Sequence, residues 1–276
     1  MTTRAVPIRG GRIEIASFPG GPGTPLLVLG GVETGLRPLA GTENVLQRRW
    51  EGRTAARTVH VVGRPIPDDP ADADRLLHPR VSADAVASLL RAQGIGPVAI
   101  EAESGGGRIG LWLTVDHPDL VERLVLAAVA SETPADSPMA DRLGTWVTMA
   151  EAGRWAEFFA RMAQVMKPAG AVGGAEAFET AAKFQPRPAT PERFIAELRT
   201  TLDPSSFVTD RLGEIDVPAL VLAGGGDQVV PADRTRQVAD RIRDARFELD
   251  PQCGHTVRSS FRGYDALVEA FLAEGD

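Results

Sequence analysis

The sequence predicts an α/β protein: a mostly parallel sheet of eight strands, doubly wound so that helices cover both faces, with a block of helices inserted late in the chain. Three observations carry that expectation. Apolar runs without polar interruption, such as residues 25–30 (Pro-Leu-Leu-Val-Leu-Gly), read as strands buried on both faces. Helical patterns alternate with these runs, the signature of parallel strands joined by helices. Between residues 133 and 208 the alternation stops and only helical spacing remains.

The elements follow in order. Residues 4–18 read as two short strands turning at Gly10-Gly11, a hairpin. Residues 25–30 form the next strand, 43–50 a helix and 57–62 (Arg-Thr-Val-His-Val-Val) another strand. Residues 63–74, with three prolines and several aspartates, read as loop. A helix starts at Ser82, buries Val86, Leu89 and Leu90, and stops at Gly94-Ile95-Gly96-Pro97. A strand at 98–102, a glycine run, a helix at 108–117 and a strand at 123–130 come next. In the inserted block, Trp155, Phe158, Phe159, Met162, Val165 and Met166 recur at helical spacing, and Thr190-Pro191-Glu192 reads as a cap with proline at the first helical position. The rhythm returns with a strand at 219–223, a helix at 231–243, a strand at 246–249 and a closing helix at 261–272. The expected organisation is one core domain, residues 1–132 and 209–276, interrupted by an insertion at 133–208.

Composition narrows the function classes. The chain has 276 residues, 43% hydrophobic and 24% charged, enough to bury a large core. Its single cysteine, Cys253, cannot form an internal bridge. The formal net charge of -7 argues against a nucleic-acid binder, which would present a basic face. Apolar stretches run to about seven or eight residues, short of the roughly 20 that span a bilayer. The N-terminus lacks a continuous apolar signal core. A soluble, cytoplasmic protein with a small-molecule substrate is expected, with no nucleic-acid or membrane partner and with a homo-oligomer left open.

Three signals stand at successive strand ends. Ala102-Glu103-Ser104-Gly105-Gly106 has the small-x-Ser-x-Gly form of a nucleophile elbow, a sharp strand-to-helix turn that lifts a serine hydroxyl above the sheet. The N–H of Gly105 then points where an oxyanion would form, and the helix N-terminus adds positive potential. A nucleotide-binding turn is the competing reading. The run Gly105-Gly106-Gly107 does not fit Gly-x-Gly-x-x-Gly, and no phosphate-loop lysine follows. The second signal is Asp227, in Gly224-Gly225-Gly226-Asp227 just past a strand end. It either caps the helix starting near Pro231 or orients a histidine. The third is Gly254-His255, in the loop after the last strand. A lone histidine is commonly a surface residue, but the order Ser104, Asp227, His255 resembles that of the α/β-hydrolase triad, and each member stands at a C-terminal strand end, which favours a serine–histidine–aspartate set. Open α/β sheets bind ligands at these strand ends.

With these residues, the chain resembles the α/β-hydrolase-fold superfamily of serine hydrolases with a helical cap between strands six and seven. The likeness covers nearly the whole length. It includes the turn around Ser104, residues 117–126 (His-Pro-Asp-Leu-Val-Glu-Arg-Leu-Val-Leu), residues 218–231 and Gly254-His255. The resemblance implies Ser104 as nucleophile, His255 as base and then acid, and Asp227 as the orienting carboxylate. It also implies a second oxyanion N–H from the loop Gly30-Gly31-Val32, so Gly31, Val32 and Gly105 are the oxyanion-hole candidates. It makes residues 133–208 a cap over the serine.

Three departures stand out. Ala102 replaces the commoner glycine, Gly30-Gly31 stands where many members have His-Gly, and Glu101 occupies a usually apolar strand position. Glu101 either pairs with an arginine or marks a one-residue shift of the strand. Within the insert, Trp146, Met149, Trp155 and Phe159 are candidates for the pocket wall, although such a stripe more often packs than touches substrate. Glu33, just past the oxyanion loop, joins them, with a solvated loop residue as the simpler reading. Glu103 reads as structural, and Cys253 as a small loop or core residue. His60, His78 and His117 show no metal-ligand spacing, so no metal and no cofactor are expected.

The expected reaction is hydrolysis of an ester, thioester or lactone with an apolar acyl group through an acyl-enzyme. An acyltransferase or cyclising thioesterase, or a carbon–carbon hydrolase or lyase, would use the same residues. A non-catalytic receptor on this fold is the alternative of another class, and it would need none of the three.

Overall fold

The computed structural model describes residues 2–166, 188 and 190–275. In chain order the elements are β1 (Thr2–Ile8), β2 (Gly11–Leu29), α1 (Val32–Leu36), α2 (Glu43–Thr54), β3 (Arg57–Val62), β4 (Ile66–Pro67), α3 (Ala73–Leu76) and α4 (Pro79–Gln93). There follow β5 (Val98–Glu103), α5 (Gly105–Asp116), β6 (Val121–Ala127), α6 (Pro138–Glu151), α7 (Trp155–Met166) and α8 (Pro191–Thr200). The chain closes with β7 (Ala219–Gly224), α9 (Ala232–Arg241), β8 (Ala245–Asp250), α10 (Val257–Ser260) and α11 (Tyr264–Ala273). Among the described residues no strand lies between β6 and β7, and no helix is long and apolar enough to cross a membrane.

The eight strands form one sheet in the order β1-β2-β5-β6-β7-β8, with β3 and β4 also paired to β2. β2 joins two strands that the sequence separates. Its first arm runs against β3, with Ile15 opposite Val62 and Phe18 opposite Val59. Its second arm runs along β3, with Leu26 opposite Val59 and Leu29 opposite Val62. β3 therefore lies between the two arms. From the second arm onward the ladders β2–β5, β5–β6, β6–β7 and β7–β8 are all parallel.

Strand residues alternate between two cores, as a two-residue side-chain period requires. Ile100, Ala102, Leu124, Leu126 and Val221 face the core closed by α4, α5 and α9. Ala99, Val125, Ala127, Leu220 and Leu222 face the core closed by Trp50 of α2 and by Val268 and Phe271 of α11. A third apolar cluster joins α6, α7 and α8 to Leu36, Leu77, Ala130, Val229 and Val230 above the C-terminal strand ends.

Several boundaries differ from the sequence expectation. α4 starts at Pro79, with His78 accepting from the Arg80 N–H at its N-cap, and not at Ser82. Ser82 is buried one turn inside, its hydroxyl donating to the Leu76 carbonyl. α5 begins at Gly105, three residues earlier than expected, because the helix must follow the elbow directly despite three glycines. β6 ends at Ala127, and Ala128 takes a left-handed conformation (φ 52°). The closing helix, expected from residue 261, starts at Tyr264 after Gly263, whose φ is +75°, and a separate short helix, α10, precedes it. The loop at 63–74 contains β4 and the start of α3.

Candidate active site

Ser104 lies between β5 and α5 with φ 51° and ψ −123°, a strained conformation for a residue with a Cβ. Such strain costs of order 1–3 kcal/mol and persists only when the surroundings enforce it. Here they do. The Ser104 N–H donates to the Ala127 carbonyl, and the Ser104 carbonyl accepts from the Gly107 N–H. The turn also needs bare backbone next to it: a Cβ on Gly106 would stand 2.3 Å from the Leu29 oxygen and 2.4 Å from the Gly30 oxygen.

The serine hydroxyl does not stand alone. His255, in the loop between β8 and α10, places Nε2 2.9 Å from Ser104 Oγ. Its Nδ1 lies 2.8 Å from Asp227 Oδ2. Of its two sequence readings, Asp227 meets the second: α9 starts at Ala232 with Pro231 at its N-cap and no side-chain cap bond, so Asp227 does not cap it. Its Oδ1 instead accepts from the Val229 and Val230 N–H groups of the preceding turn at 2.7 and 2.9 Å, leaving Oδ2 for the imidazole. Both residues are buried. The His255 backbone N–H donates to the Met166 carbonyl at the end of α7. Burial pulls the imidazole pKa down, but the Asp227 carboxylate, through its charge and its hydrogen bond, outweighs it with a smaller pull from Glu103. The ring is held above the ordinary histidine value. An imidazole so placed can take the serine proton and hold it as a cation.

The loop after β2 lies against the serine. The Cβ position on Gly31 is 3.5 Å from Ser104 Cβ and 4.0 Å from its Oγ. Val32 and Gly105 open α1 and α5, so their N–H groups have no acceptor four residues back within their helices. Gly31, Val32 and Gly105 all line the same cavity as Ser104.

Above these residues is a cavity of about 360 Å³. Its floor is Ser104, His255 and Gly31, and its roof includes Leu143, Trp146, Phe158, Met162 and Phe194 from the inserted helices. Of the five wall candidates, Glu33 and Trp146 line the cavity. Glu33 also pairs with Arg37 one turn away. Met149, Trp155 and Phe159 do not line it: they are buried in the cluster between helices. Trp155 and Phe159 pack on Phe194 at ring-centroid distances of 5.9 and 6.3 Å. The reason is helical phase. On α7, positions 158, 162 and 166 form the stripe that faces the cavity, while 155 and 159 form the adjacent stripe, which faces α8.

Four charged groups escaped the sequence reading. Arg64 and Glu197 form a buried ion pair at 2.8 Å, 133 residues apart. Burial pushes the Glu197 carboxyl above the ordinary glutamate range, against the pull of Arg64. Arg108, four residues after Ser104, donates to the Thr200 and Thr201 carbonyls at the end of α8, a site that favours a cation. Its burial lowers its pKa to about 10. Arg258 lies 3.0 Å from Glu101. Neither a basic side chain nor its spacing marks such pairs in a sequence; the fold makes them.

Glu101 itself keeps its register, opposite Val28 and Val125, so the strand is not shifted. The carboxylate is fully buried, with Arg258 at 3.0 Å, Arg53 at 3.5 Å and the Tyr264 hydroxyl donating to it at 3.0 Å. Cys253 is buried, its Sγ near the Gly254 carbonyl and the Ser260 hydroxyl. Among the described residues no group of three or more His, Cys, Asp or Glu side chains is arranged to hold a metal ion.

Sheet order, flanking helices and a serine on a strand-to-helix elbow define an α/β hydrolase. Residues 81–259 match the model of the family described as serine aminopeptidase, S33, and the chain belongs to that family. It is 26% identical over 262 residues to 2-hydroxymuconate semialdehyde hydrolase of Pseudomonas sp. (strain CF600), covering 93% of this chain and 89% of that protein. Among solved structures it is similar to MGS-M2, an α/β-hydrolase enzyme from a Medee basin deep-sea metagenome library. The TM-score is 0.81 at 16% identity, over 98% of this chain and 97% of that one. It is likewise similar to Est816, described as an N-acyl homoserine lactone degrading enzyme, with a TM-score of 0.73 at 20% identity over 97% of this chain and all of that one.

Proposed function

We propose that the protein hydrolyses an ester, thioester or lactone with an apolar acyl group, through an acyl-enzyme on Ser104. The hydrogen-bonded chain from Ser104 through His255 to Asp227, on the floor of a cavity with an apolar roof, carries this reading. His255 takes the serine proton as Oγ attacks the carbonyl. The new oxyanion is met by N–H groups of Gly105 and of Gly31 or Val32. The imidazolium, balanced by Asp227, gives its proton to the leaving group. Water, deprotonated by the same ring, then releases the acid. The helices α6, α7 and α8 act as a cap that covers the acyl group and excludes bulk water, while residues 167–187 of the expected 133–208 insertion lie outside the described residues. Hydrolysis of a series of p-nitrophenyl esters of increasing chain length, by wild type and Ser104→Ala, tests the reading. Turnover by the wild type alone supports it, and equal rates refute it.

A second reading is hydrolysis of a carbon–carbon bond beside a carbonyl. The relative named 2-hydroxymuconate semialdehyde hydrolase, similar over 93% of this chain, favours it. The same serine and oxyanion site would serve. Direct assay with 2-hydroxymuconate semialdehyde separates the two: ester turnover without loss of that compound leaves the first reading alone.

A further inference from the structure

We infer that Arg64 is a positioning residue of the oxyanion loop, seated there by Glu197 of the inserted segment, so that the docking of α8 and the geometry of the N–H donors beside Ser104 are linked. The inference rests on the acyl-transfer reading above and goes one layer outward from it.

The guanidinium holds the loop from behind. Its Nη2 donates to the Gly30 carbonyl at 2.9 Å, and the Arg64 backbone N–H donates to the Gly35 carbonyl at 2.8 Å. A Cβ on Gly35 would stand 2.5 Å from Nη1, so the loop closes on the arginine with no space between. The Gly30 carbonyl belongs to the same peptide unit as the Gly31 N–H. A cationic donor on that oxygen polarises the N–H of the same peptide unit.

The arginine is fixed in turn from above. Nε and Nη2 both lie 2.8 Å from Glu197 Oε1, with the two side chains 1% and 5% exposed. The same pair packs beside the other proposed oxyanion donor: a Cβ on Gly105 would stand 3.3 Å from Glu197 Oε1 and 3.6 Å from Arg64 Nη2. Arg193, also on α8, donates to the Arg64 and Pro65 carbonyls. Two buried ionic side chains are a poor way to dock a helix, because an apolar pair of similar volume is often as stable or more so. A planar fork that joins a carboxylate and a backbone carbonyl in one geometry is what positioning needs, and lysine cannot supply it.

The test measures Arg64→Met, Glu197→Ala and Glu197→Gln, each with active sites titrated by a fluorophosphonate. Per titrated site, kcat and KM are measured with p-nitrophenyl butyrate, and Ki with a trifluoromethyl ketone that forms a tetrahedral oxyanion. We expect Arg64→Met and Glu197→Ala to lose kcat by up to about 10²-fold. KM stays within about threefold, and Ki for the ketone rises by the same factor as kcat/KM falls. Glu197→Gln keeps the acceptor oxygen and stays within about threefold of wild type. Should Arg64→Met not fold, Glu197→Ala carries the same expectation. Unchanged kcat and Ki per titrated site in the variants that fold would overturn the inference, even where fewer sites titrate, since lost folding alone does that. A wild type in which no serine titrates would instead sink the acyl-transfer reading itself.

Discussion

Arg258 Nε meets Glu101 Oε1 at 3.0 Å, a buried ion pair whose arginine also borders the cavity over Ser104. Glu101 stands three residues before Ser104 on β5, and Arg258 three residues after His255 on α10. The pair therefore ties the strand that carries the hydroxyl to the segment that carries the imidazole. Arg53 and Tyr264 complete the shell around the carboxylate.

Glu101→Ala leaves two buried guanidinium groups without that counter-charge. Breaking one side of a buried ion pair costs about 3–5 kcal/mol. For a chain of this size the melting temperature should fall by roughly 10 °C. Differential scanning calorimetry of the variant checks this, and a Tm within a degree or two of wild type would mean the carboxylate is not needed to hold its arginines.

The raised His255 pKa fixes the direction of two pH effects. Activity needs the neutral ring, so kcat/KM should rise through an apparent pKa above the ordinary histidine value of about 6.5. Asp227→Asn should move that limb to lower pH and reduce kcat by about 10⁴-fold. In stability the sign is opposite. The folded state binds this proton more tightly than the unfolded chain. The contribution is fully present below the unfolded value and is lost as pH rises through the folded one. Profiles of kcat/KM from pH 5 to 9 for both proteins measure the limb directly.

Two glycines separate local constraint from propensity. Gly106→Ala forces a Cβ to 2.3 Å from backbone oxygen at Leu29, so backbone must shift and both solubility and ester turnover should collapse. Gly52→Ala, within α2, meets nothing within 4 Å. It should raise stability by about 0.5–1 kcal/mol. Thermal melts of the two variants decide it.

The phase of α7 makes a specificity prediction. Phe158→Ala opens the cavity roof and should shift the preferred ester towards longer acyl chains. Trp155→Ala, one stripe away, should lower stability by about 3–5 kcal/mol without changing chain-length preference. The ratio of kcat/KM for octanoate and butyrate esters reads this, and an equal shift in both variants would contradict the assigned faces.

What the sequence disclosed depended on how local each signal was. The elbow was legible because small residues around Ser104, between an apolar run and a helix, have few other uses. The succession of strands along the chain after residue 25 was legible because most of them carry apolar runs set between helical patterns. The pairing of one long β2 with both sides of β3 was not, since ladder partners leave no mark in composition. Nor was the difference between Phe158 and Phe159, adjacent aromatics whose fates are set by the helix's rotation against its neighbours. Arg64 and Glu197 lie furthest from sequence reasoning: each alone looks like a solvated charge, and only the folded chain brings them to 2.8 Å.

The most direct measurement is the intact mass of the protein after treatment with a fluorophosphonate, followed by peptide mapping. A single phosphonyl adduct on Ser104, absent from Ser104→Ala and formed orders of magnitude more slowly in His255→Ala, is the predicted result. An unmodified wild type, or an adduct that survives in Ser104→Ala, would contradict the assignment of Ser104 as an activated nucleophile.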